Sequence, residues 1–210
     1  MTDSQSFYKE DFMAIIVDKV KKRETIACSC KELLLKEGFN SISISKITKT
    51  AGISKGSFYD YFENKEDLVF EVLSHLIDEY NKKLQVSIDN TKSIKDKIKA
   101  LTAFFYKDEF SELREIYKQF ASISLMEKNS QIAIFQQKNH KFYKDWVDSL
   151  INQGIKRGEL KEDAINITEG IFASIKGFYL SYTIMQKLDN LEEQITIFLD
   201  EIFKLIEVKK

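Results

Sequence analysis

The stretch of residues 41–68 constrains the fold most, because it combines helical apolar spacing with points where a helix has to stop. Gly52 divides it and supplies the backbone freedom that a tight turn needs. On either side of this glycine, apolar side chains recur three or four residues apart, as on one face of a helix: Ile44, Ile47 and Ala51, then Phe58 and Phe62. The stretch therefore predicts a helix, a glycine turn and a second short helix.

Polar side chains mark the helix starts in this stretch. Ser43 and Ser54 stand where a side-chain oxygen can accept from the first backbone N–H groups of a helix, and Asn64 with Asp67 marks a third start. The same N–H groups can bind a phosphate. Ser43 and Ser54 are therefore expected to act as caps, as phosphate contacts or as both.

The second short helix has a polar outer face. With Phe58 and Phe62 turned inward, the residues left pointing outward are Lys55, Gly56, Ser57, Tyr59 and Asp60. A short helix of this kind after a glycine turn is typical of proteins that read DNA in the major groove. Asp60 repels phosphate but can accept a hydrogen bond from the amine of cytosine. An ion pair with a neighbouring lysine, or simple exposure to solvent, is the open alternative for Asp60.

This stretch resembles the N-terminal signature of the TetR family of bacterial transcription regulators. The residues that carry the resemblance are Gly38, Phe39, Ser43, Ile47, Ala51, Gly52, Ser54, Lys55, Gly56, Tyr59, Phe62, Lys65 and Leu68. So many positions at fixed spacing are far more specific than a bare helix-turn-helix pattern. Ser43, Thr48 and Phe58 depart from the threonine, alanine and leucine that are common there, with size or capping preserved.

The resemblance implies an all-α fold of about nine helices in two domains. A helix-turn-helix DNA-binding domain is expected over residues 1–65, and a helical effector-binding and dimerisation domain over residues 66–210. The expected DNA contacts are Ser43, Lys46, Ser54, Lys55, Gly56, Ser57, Tyr59, Asp60, Tyr61 and Lys65. The net charge of -1 does not oppose this, because residues 1–65 carry 11 basic against 9 acidic side chains.

Composition independently favours a helical chain. The 210 residues contain no proline and only 7 glycines, so few helix breakers are present. One long helix is expected from Lys65 to about Asp89, shared by both halves. No apolar run approaches the roughly 18 residues of a membrane span, and the short patch from Phe12 to Val17 makes a poor signal peptide. A cytoplasmic protein without membrane contact is expected.

Two later helices predict a dimer surface. The segment 162–186 is apolar nearly all round, so it must be buried from more than one side. Its stripe of small residues and the coiled-coil-like spacing of the last helix resemble the family's two-helix dimerisation surface, and completion of a monomer core is the alternative. The expected interface residues are Gly170, Ser174, Gly177, Ser181, Ile195, Phe198 and Ile202.

Aromatic residues are concentrated between these two regions. Each alone is typical of a helical core, but together they could enclose a pocket with a few polar groups, as the resemblance also implies. The expected ligand-binding residues are Phe104, Tyr106, Phe120, His140, Phe142, Tyr143, Trp146, Phe172 and Tyr179.

The cysteines and histidines of the sequence do not form the patterns typical of metal, cofactor or catalytic sites. Cys28 and Cys30 are two apart on a predicted helix and point in different directions, so no disulfide or shared metal is expected, although a redox role for Cys28 stays open. His75 and His140 lack a second histidine or cysteine one helical turn away. We therefore expect no catalytic site, no metal and no cofactor.

The function expected from this sequence is a ligand-responsive, dimeric transcriptional regulator. By resemblance it would act as a repressor, bind a palindromic operator in double-stranded DNA and be released by a small apolar, aromatic or amphipathic effector. The alternative is a helical module that binds a small molecule or a protein, with weak or vestigial DNA binding. Salt dependence of DNA binding separates the two.

Overall fold

The computed structural model describes residues 18–126, 130–187 and 190–208, and the regular elements in these ranges are α-helices and short 3-10 helices, which confirms the all-α prediction. The N-terminal apolar patch lies outside the described residues. The helices are α1 (residues 18–29), α2 (Lys31–Ser41), α3 (Ile44–Ala51), α4 (Lys55–Tyr61), α5 (Lys65–Asp89), α6 (Ile94–Thr102), α7 (Ser111–Met126), α8 (Ser130–Lys156), α9 (Thr168–Ile184) and α10 (Leu191–Ile206).

All three predicted helix starts are confirmed by capping hydrogen bonds. The Ser43 hydroxyl accepts from the third backbone N–H of α3 at 3.4 Å, and Ser54 does the same for α4 at 3.0 Å. Asn64 accepts from the backbone N–H of Asp67 at 2.8 Å. Gly52 ends α3 with a left-handed φ of 66°, a conformation that glycine adopts without steric cost. Local sequence therefore fixes where α3, α4 and α5 begin.

Helix α6 is short and does not continue as an α-helix through the aromatic segment that follows it. The helix that begins at Ile94 ends at Thr102 and continues only as a 3-10 turn over Ala103–Phe105. The guanidinium of Arg114 donates to the carbonyl oxygens of Phe104 at 2.9 Å and Lys107 at 2.8 Å. These bonds satisfy carbonyl groups that would otherwise need a continuing helix.

The chain divides into two compact units. The first runs to Asp78 and includes Glu115–Phe120; the second comprises Glu79–Arg114 and Ala121–Lys210. The division falls inside α5, so this long helix contributes residues to both units. The boundary expected at residue 65 from the resemblance stays a prediction.

Each unit has its own apolar core. In the first unit the fully buried large side chains include Leu34, Ile42, Ile47, Phe58, Phe62 and Leu68. In the second unit they include Ile98 on α6, Ile132 and Ile151 on α8, and Leu191 with Phe203 on α10. Helix α10 packs on α6 and α9, and α8 packs on the same two helices. The second unit is thus a layered helical bundle.

Candidate nucleic-acid interface

Helix α4 has one buried face and one exposed face. Phe58 and Phe62 lie in the core of the first unit, with their rings stacked at 5.4 Å. On the opposite side Lys55, Gly56 and Asp60 are exposed. A seven-residue helix gains little stability by itself, so the two phenylalanines hold it in place and present its polar face.

Tyr59 is the most prominent side chain on this face. It is 58% exposed, and its ring packs edge-on against Phe58 at a centroid distance of 5.3 Å. Ser57 beside it is half-buried, and its hydroxyl lies 3.0 Å from that of the cap residue Ser54. Gly56 leaves room, because a Cβ there would meet only the Ser54 hydroxyl oxygen, at 3.6 Å. The surface can therefore approach another molecule closely at Gly56.

Asp60 is exposed and forms no ion pair with any residue in the described part of the chain. The open alternative of a lysine partner thus receives no support from the structure. Its carboxylate borders a cleft of about 570 Å³ beside α4. The residues that line this cleft are Lys19, Val20, Arg23, Tyr59, Asp60, Tyr61, Phe62, Glu63 and Asp67.

Two of the expected phosphate-binding lysines already have partners. Lys46 is exposed on α3, and its ammonium forms an ion pair with Glu37. The ammonium of Lys65 lies 3.4 to 3.5 Å from the carbonyl oxygens of Phe39, Asn40 and Ile42 at the end of α2. Lys65 therefore ties α5 to α2, and phosphate contacts by either lysine stay predictions.

An arginine that we did not single out from sequence organises this unit. Arg23 on α1 forms two hydrogen bonds with Asp67, of 2.6 and 3.1 Å, and one of 2.8 Å with Glu71. It also donates to the carbonyl oxygen of Tyr61 at 2.5 Å and lies over the ring of Phe62 at 4.5 Å. Arg23 thereby joins the end of α4 to the start of α5. Its acidic partners are more than 40 residues away, so helical spacing gave no signal for it.

The electrostatics of this pair follow from its partial burial. Burial alone would raise the pKa of Asp67, but the hydrogen bonds from Arg23 and from the backbone N–H of Glu63 lower this pKa below its ordinary value. The hydrogen bond to Asp67 in turn raises the pKa of Arg23. Both groups are therefore charged at neutral pH.

The expected effector residues are only partly brought together. Phe104, Tyr106, Tyr143 and Trp146 pack against a buried cluster centred on Tyr80, a residue that we did not predict. The hydroxyl of Tyr143 donates to the side-chain oxygen of Asn81 at 2.9 Å. Burial raises the pKa of Tyr80 far above its ordinary value. These aromatic residues contribute to the core of the second unit.

The remaining effector candidates are not gathered at one place, and their role in ligand binding stays a prediction. Phe120 lies in the first unit, where its ring centroid is 5.1 Å from that of Phe39. Its place on α7 could not be read from aromatic content. Phe142 is 49% exposed, and Tyr179 is buried with its ring 5.3 Å from that of Phe105. The other two candidates, His140 and Phe172, pack edge-on against each other, with their ring centroids 5.0 Å apart.

The small-residue stripe on α9 is at the surface. Gly170, Gly177 and Ser181 are exposed and Ser174 is half-buried, and a Cβ at either glycine would have no neighbour within 4 Å. Large exposed apolar side chains lie on the same two helices: Leu180 and Ile184 on α9, and Ile197 and Leu205 on α10. These helices thus carry apolar surface that the chain itself leaves uncovered.

Ile195 does not belong to this surface, which corrects one expected dimer contact. Its side chain is 0% exposed, because it shares the inward face of α10 with Leu191, Leu199 and Phe203. A residue enclosed by its own chain cannot contact a second copy. Phe198 and Ile202 stay predictions, since both are half-buried and next to the exposed face.

In residues 18–126, 130–187 and 190–208 no group of three or more His, Cys, Asp or Glu side chains could hold a metal ion. No helix within the same ranges is long and apolar enough to cross a membrane. Cys30 is buried and Cys28 is exposed; burial raises the pKa of the Cys30 thiol.

The sequence was compared with known proteins. Residues 30–72, which include α3 and α4, match the family model described as bacterial regulatory proteins, tetR family. The fatty acid metabolism regulator protein of Bacillus subtilis is 27% identical over 133 residues, which are 62% of this chain. That match spans 66% of the relative, just under two thirds of its length.

Solved structures show the same fold. A TetR-family transcriptional regulator from Cytophaga hutchinsonii superposes with a TM-score of 0.76 at 18% identity, over 92% of this chain and 98% of that one. A transcriptional regulator FadR from Bacillus subtilis, solved in complex with stearoyl-CoA, has a TM-score of 0.62 at 21% identity, over 83% and 96% of the two chains. Residues 30–72 thus carry the segment that the tetR family model describes, and the solved structures show that most of the chain has the fold of TetR-family regulators.

Proposed function

We propose that this chain is a ligand-responsive transcriptional regulator that binds double-stranded DNA through α4. The observation that carries the proposal is the geometry of this helix. Its start is capped by Ser54, its inner face is fixed by Phe58 and Phe62, and its outer face is polar and exposed. The tetR family model covers this helix as well. A rigid, short, polar helix of this kind fits the major groove of B-form DNA.

The side chains of α4 divide into two roles. Lys55, Gly56, Ser57 and Asp60 would lie near base edges, where Lys55 can donate to guanine and Asp60 can accept from the amine of cytosine. Phosphates would be bound by Tyr59 and by other residues flanking the helix, namely Ser43, Lys46, Ser54, Tyr61 and Lys65. Lys46 would exchange Glu37 for a phosphate, because that ion pair is exposed.

DNA binding would require two copies of the chain. The uncovered apolar and small residues of α9 and α10 support an isologous interface, in which the same surface of each subunit packs on the other. A two-fold dimer places its two reading helices in successive major grooves about 34 Å apart, which fits a palindromic operator. The helices α9 and α10 of both subunits would then form a four-helix bundle.

The second unit would bind the effector in the cytoplasm and control DNA binding. Its aromatic content supports an apolar or amphipathic small molecule, and the structurally similar FadR of Bacillus subtilis was solved with stearoyl-CoA. Effector binding would change the separation of the two α4 helices in the dimer. The two helices could then no longer bind both half-sites of one operator at the same time. The chain would thus repress transcription until the effector releases it.

The test is DNA binding as a function of salt. We expect the affinity of the purified protein for upstream DNA of its own gene to fall steeply between about 50 and 200 mM salt, as counterion release requires. Lys46→Ala, which removes an expected phosphate contact, should reduce the slope, and Lys82→Ala, which removes an exposed lysine on α5, is the matched control. A flat response in all proteins would favour a helical binding module with vestigial DNA binding.

A further inference from the structure

Lys176 on α9 carries a half-buried ammonium group with no carboxylate at salt-bridge distance in the described part of the chain. Its Nζ lies 3.1 Å from Nδ1 of His140 on α8 and 4.6 Å from the ring centroid of Phe172. The groups in contact with the ammonium are therefore an imidazole nitrogen and the face of an aromatic ring, and neither is a carboxylate.

The imidazole of His140 is oriented by contacts on its other sides. Its Nε2 lies 3.4 Å from a carboxylate oxygen of Glu169, and its ring packs edge-on against Phe172 at 5.0 Å. The carboxylate favours the tautomer with the proton on Nε2, which leaves Nδ1 free to accept from the Lys176 ammonium. Glu169 thus acts on His140 and does not neutralise Lys176 directly.

The surroundings of Lys176 are unfavourable for its charge. Burial lowers the pKa of the Lys176 ammonium below its ordinary value, and the negative charge of Glu169 opposes this effect only in part. Two lysines of the neighbouring helix α8 are different, because Lys144 pairs with Asp148 and Lys141 with Asp145, each at 2.6 Å. Lys176 is therefore a cation whose environment would be improved by an anionic ligand.

We propose that Lys176 and His140 form the head-group site for the carboxylate of an amphipathic effector, whose first methylene groups would contact Phe172. This inference rests on the proposed effector-dependent function and names the chemical class of the effector. One ammonium group matches one negative charge, and Glu169 beside the site repels a second. A monocarboxylate therefore fits better than a ligand whose head carries several phosphates.

The test uses the full-length protein without DNA and follows the fluorescence of Trp146, the only tryptophan in the chain, which lies on α8 with His140. The probe is dodecanoate. We expect Lys176→Met to weaken dodecanoate binding at least about tenfold, the value of one charge-assisted hydrogen bond. Lys176→Arg should retain most of the affinity because it keeps the charge. Lys141→Met removes an exposed lysine of α8 and should leave the affinity unchanged.

Two further probes separate the chemistry of the head group. Dodecanol has the same chain without the charge, and dodecanoyl-CoA replaces the carboxylate by a neutral thioester with distant phosphates. We expect dodecanoate to bind most tightly and to be the probe most sensitive to Lys176→Met. Equal binding of dodecanol, or unchanged dodecanoate binding by a folded Lys176→Met protein, would overturn the proposal. Tighter binding of dodecanoyl-CoA that depends on Lys176 would overturn the assignment to a monocarboxylate.

Failure of this inference is distinguishable from failure of the proposed function. The fluorescence titration contains no DNA, whereas the salt titration contains no effector. A protein that binds its upstream DNA with a steep salt dependence but ignores dodecanoate would retain the proposed regulator function and lose only the carboxylate site.

Discussion

Arg23 and Asp67 form a bidentate ion pair that joins α1 to the first turn of α5, with hydrogen bonds of 2.6 and 3.1 Å. The same guanidinium donates to the carbonyl oxygen of Tyr61, the last residue of α4. The position of the polar helix face thus depends on a contact between residues 44 apart in sequence.

Replacing Arg23 by methionine should destabilise the first unit. The variant keeps an apolar stem but leaves Asp67 and Glu71 without their partner, and both are only partly exposed. We expect a loss of about 1 to 3 kcal/mol in the free energy of unfolding, measured by urea denaturation. Lys22→Met, which removes an exposed neighbouring charge, is the control. Equal stability of the two variants would show that the ion pair does not hold α1 to α5.

The stability provided by Asp67 should depend on pH. Its pKa is lowered in the folded state relative to about 3.9 in the unfolded chain. The contribution is therefore fully present above the unfolded value and is lost as the pH falls through the lower folded value. The difference in unfolding free energy between the wild type and Asp67→Asn should be constant near neutral pH and shrink below about pH 4. A difference that grows on acidification would contradict this sign.

Gly56→Ala should separate folding from DNA binding. The new methyl group meets only the Ser54 hydroxyl at ordinary contact distance, and alanine is favoured over glycine in a helix by up to about 1 kcal/mol. The variant should be as stable as the wild type in urea denaturation. It should bind DNA at least about tenfold more weakly, because the methyl group stands on the face that approaches the bases. Wild-type affinity would show that α4 does not enter the groove closely at this position.

Asp60 and Tyr59 should affect DNA recognition in different ways. Asp60→Ala should change which sequence is preferred, since its exposed carboxylate has no partner among the described residues and can read cytosine. Tyr59→Phe removes a phosphate donor and should weaken binding to all sequences by a similar factor. Gel shifts over a panel of palindromes compare the two variants. Equal losses on every sequence would remove the base-reading role of Asp60.

Gly177→Glu should prevent dimerisation without unfolding the subunit. Beyond the backbone of α9 itself, no described residue lies within 4 Å of a Cβ at this position, so the substitution is tolerated in the monomer. In a dimer it would place a charge in the closely packed stripe of α9, and the molar mass from light scattering should fall to that of one chain. Ser87→Glu, at an exposed position on α5, is the control. A dimeric Gly177→Glu protein would locate the interface elsewhere.

Local features of this chain were predictable and long-range ones were not. The starts of α3, α4 and α5 followed from the side chains of Ser43, Ser54 and Asn64, because a cap acts within one helical turn. The partners of Arg23 could not be predicted, since they come together only when α1 packs on α5. Ile195 was placed on the wrong face because α10 is apolar on two sides, and periodicity alone does not say which side the chain itself covers.

The sequence also did not determine where individual aromatic residues pack. Phe104 and Phe120 were both expected to line the effector pocket, yet the first packs with the Tyr80 cluster and the second belongs to the first unit. Aromatic side chains at helical spacing are compatible with a core and with a pocket. Only the tertiary packing distinguishes them.

Selection of DNA fragments from the organism's own genome by the purified protein tests the central claim most directly. The account predicts enrichment of an inverted repeat whose two half-sites are about one helical turn apart, with the enrichment lost in Gly56→Ala and Gly177→Glu. Enrichment of no sequence by the folded wild type, or an identical profile for wild type and Gly56→Ala, would contradict the reading of DNA by paired α4 helices.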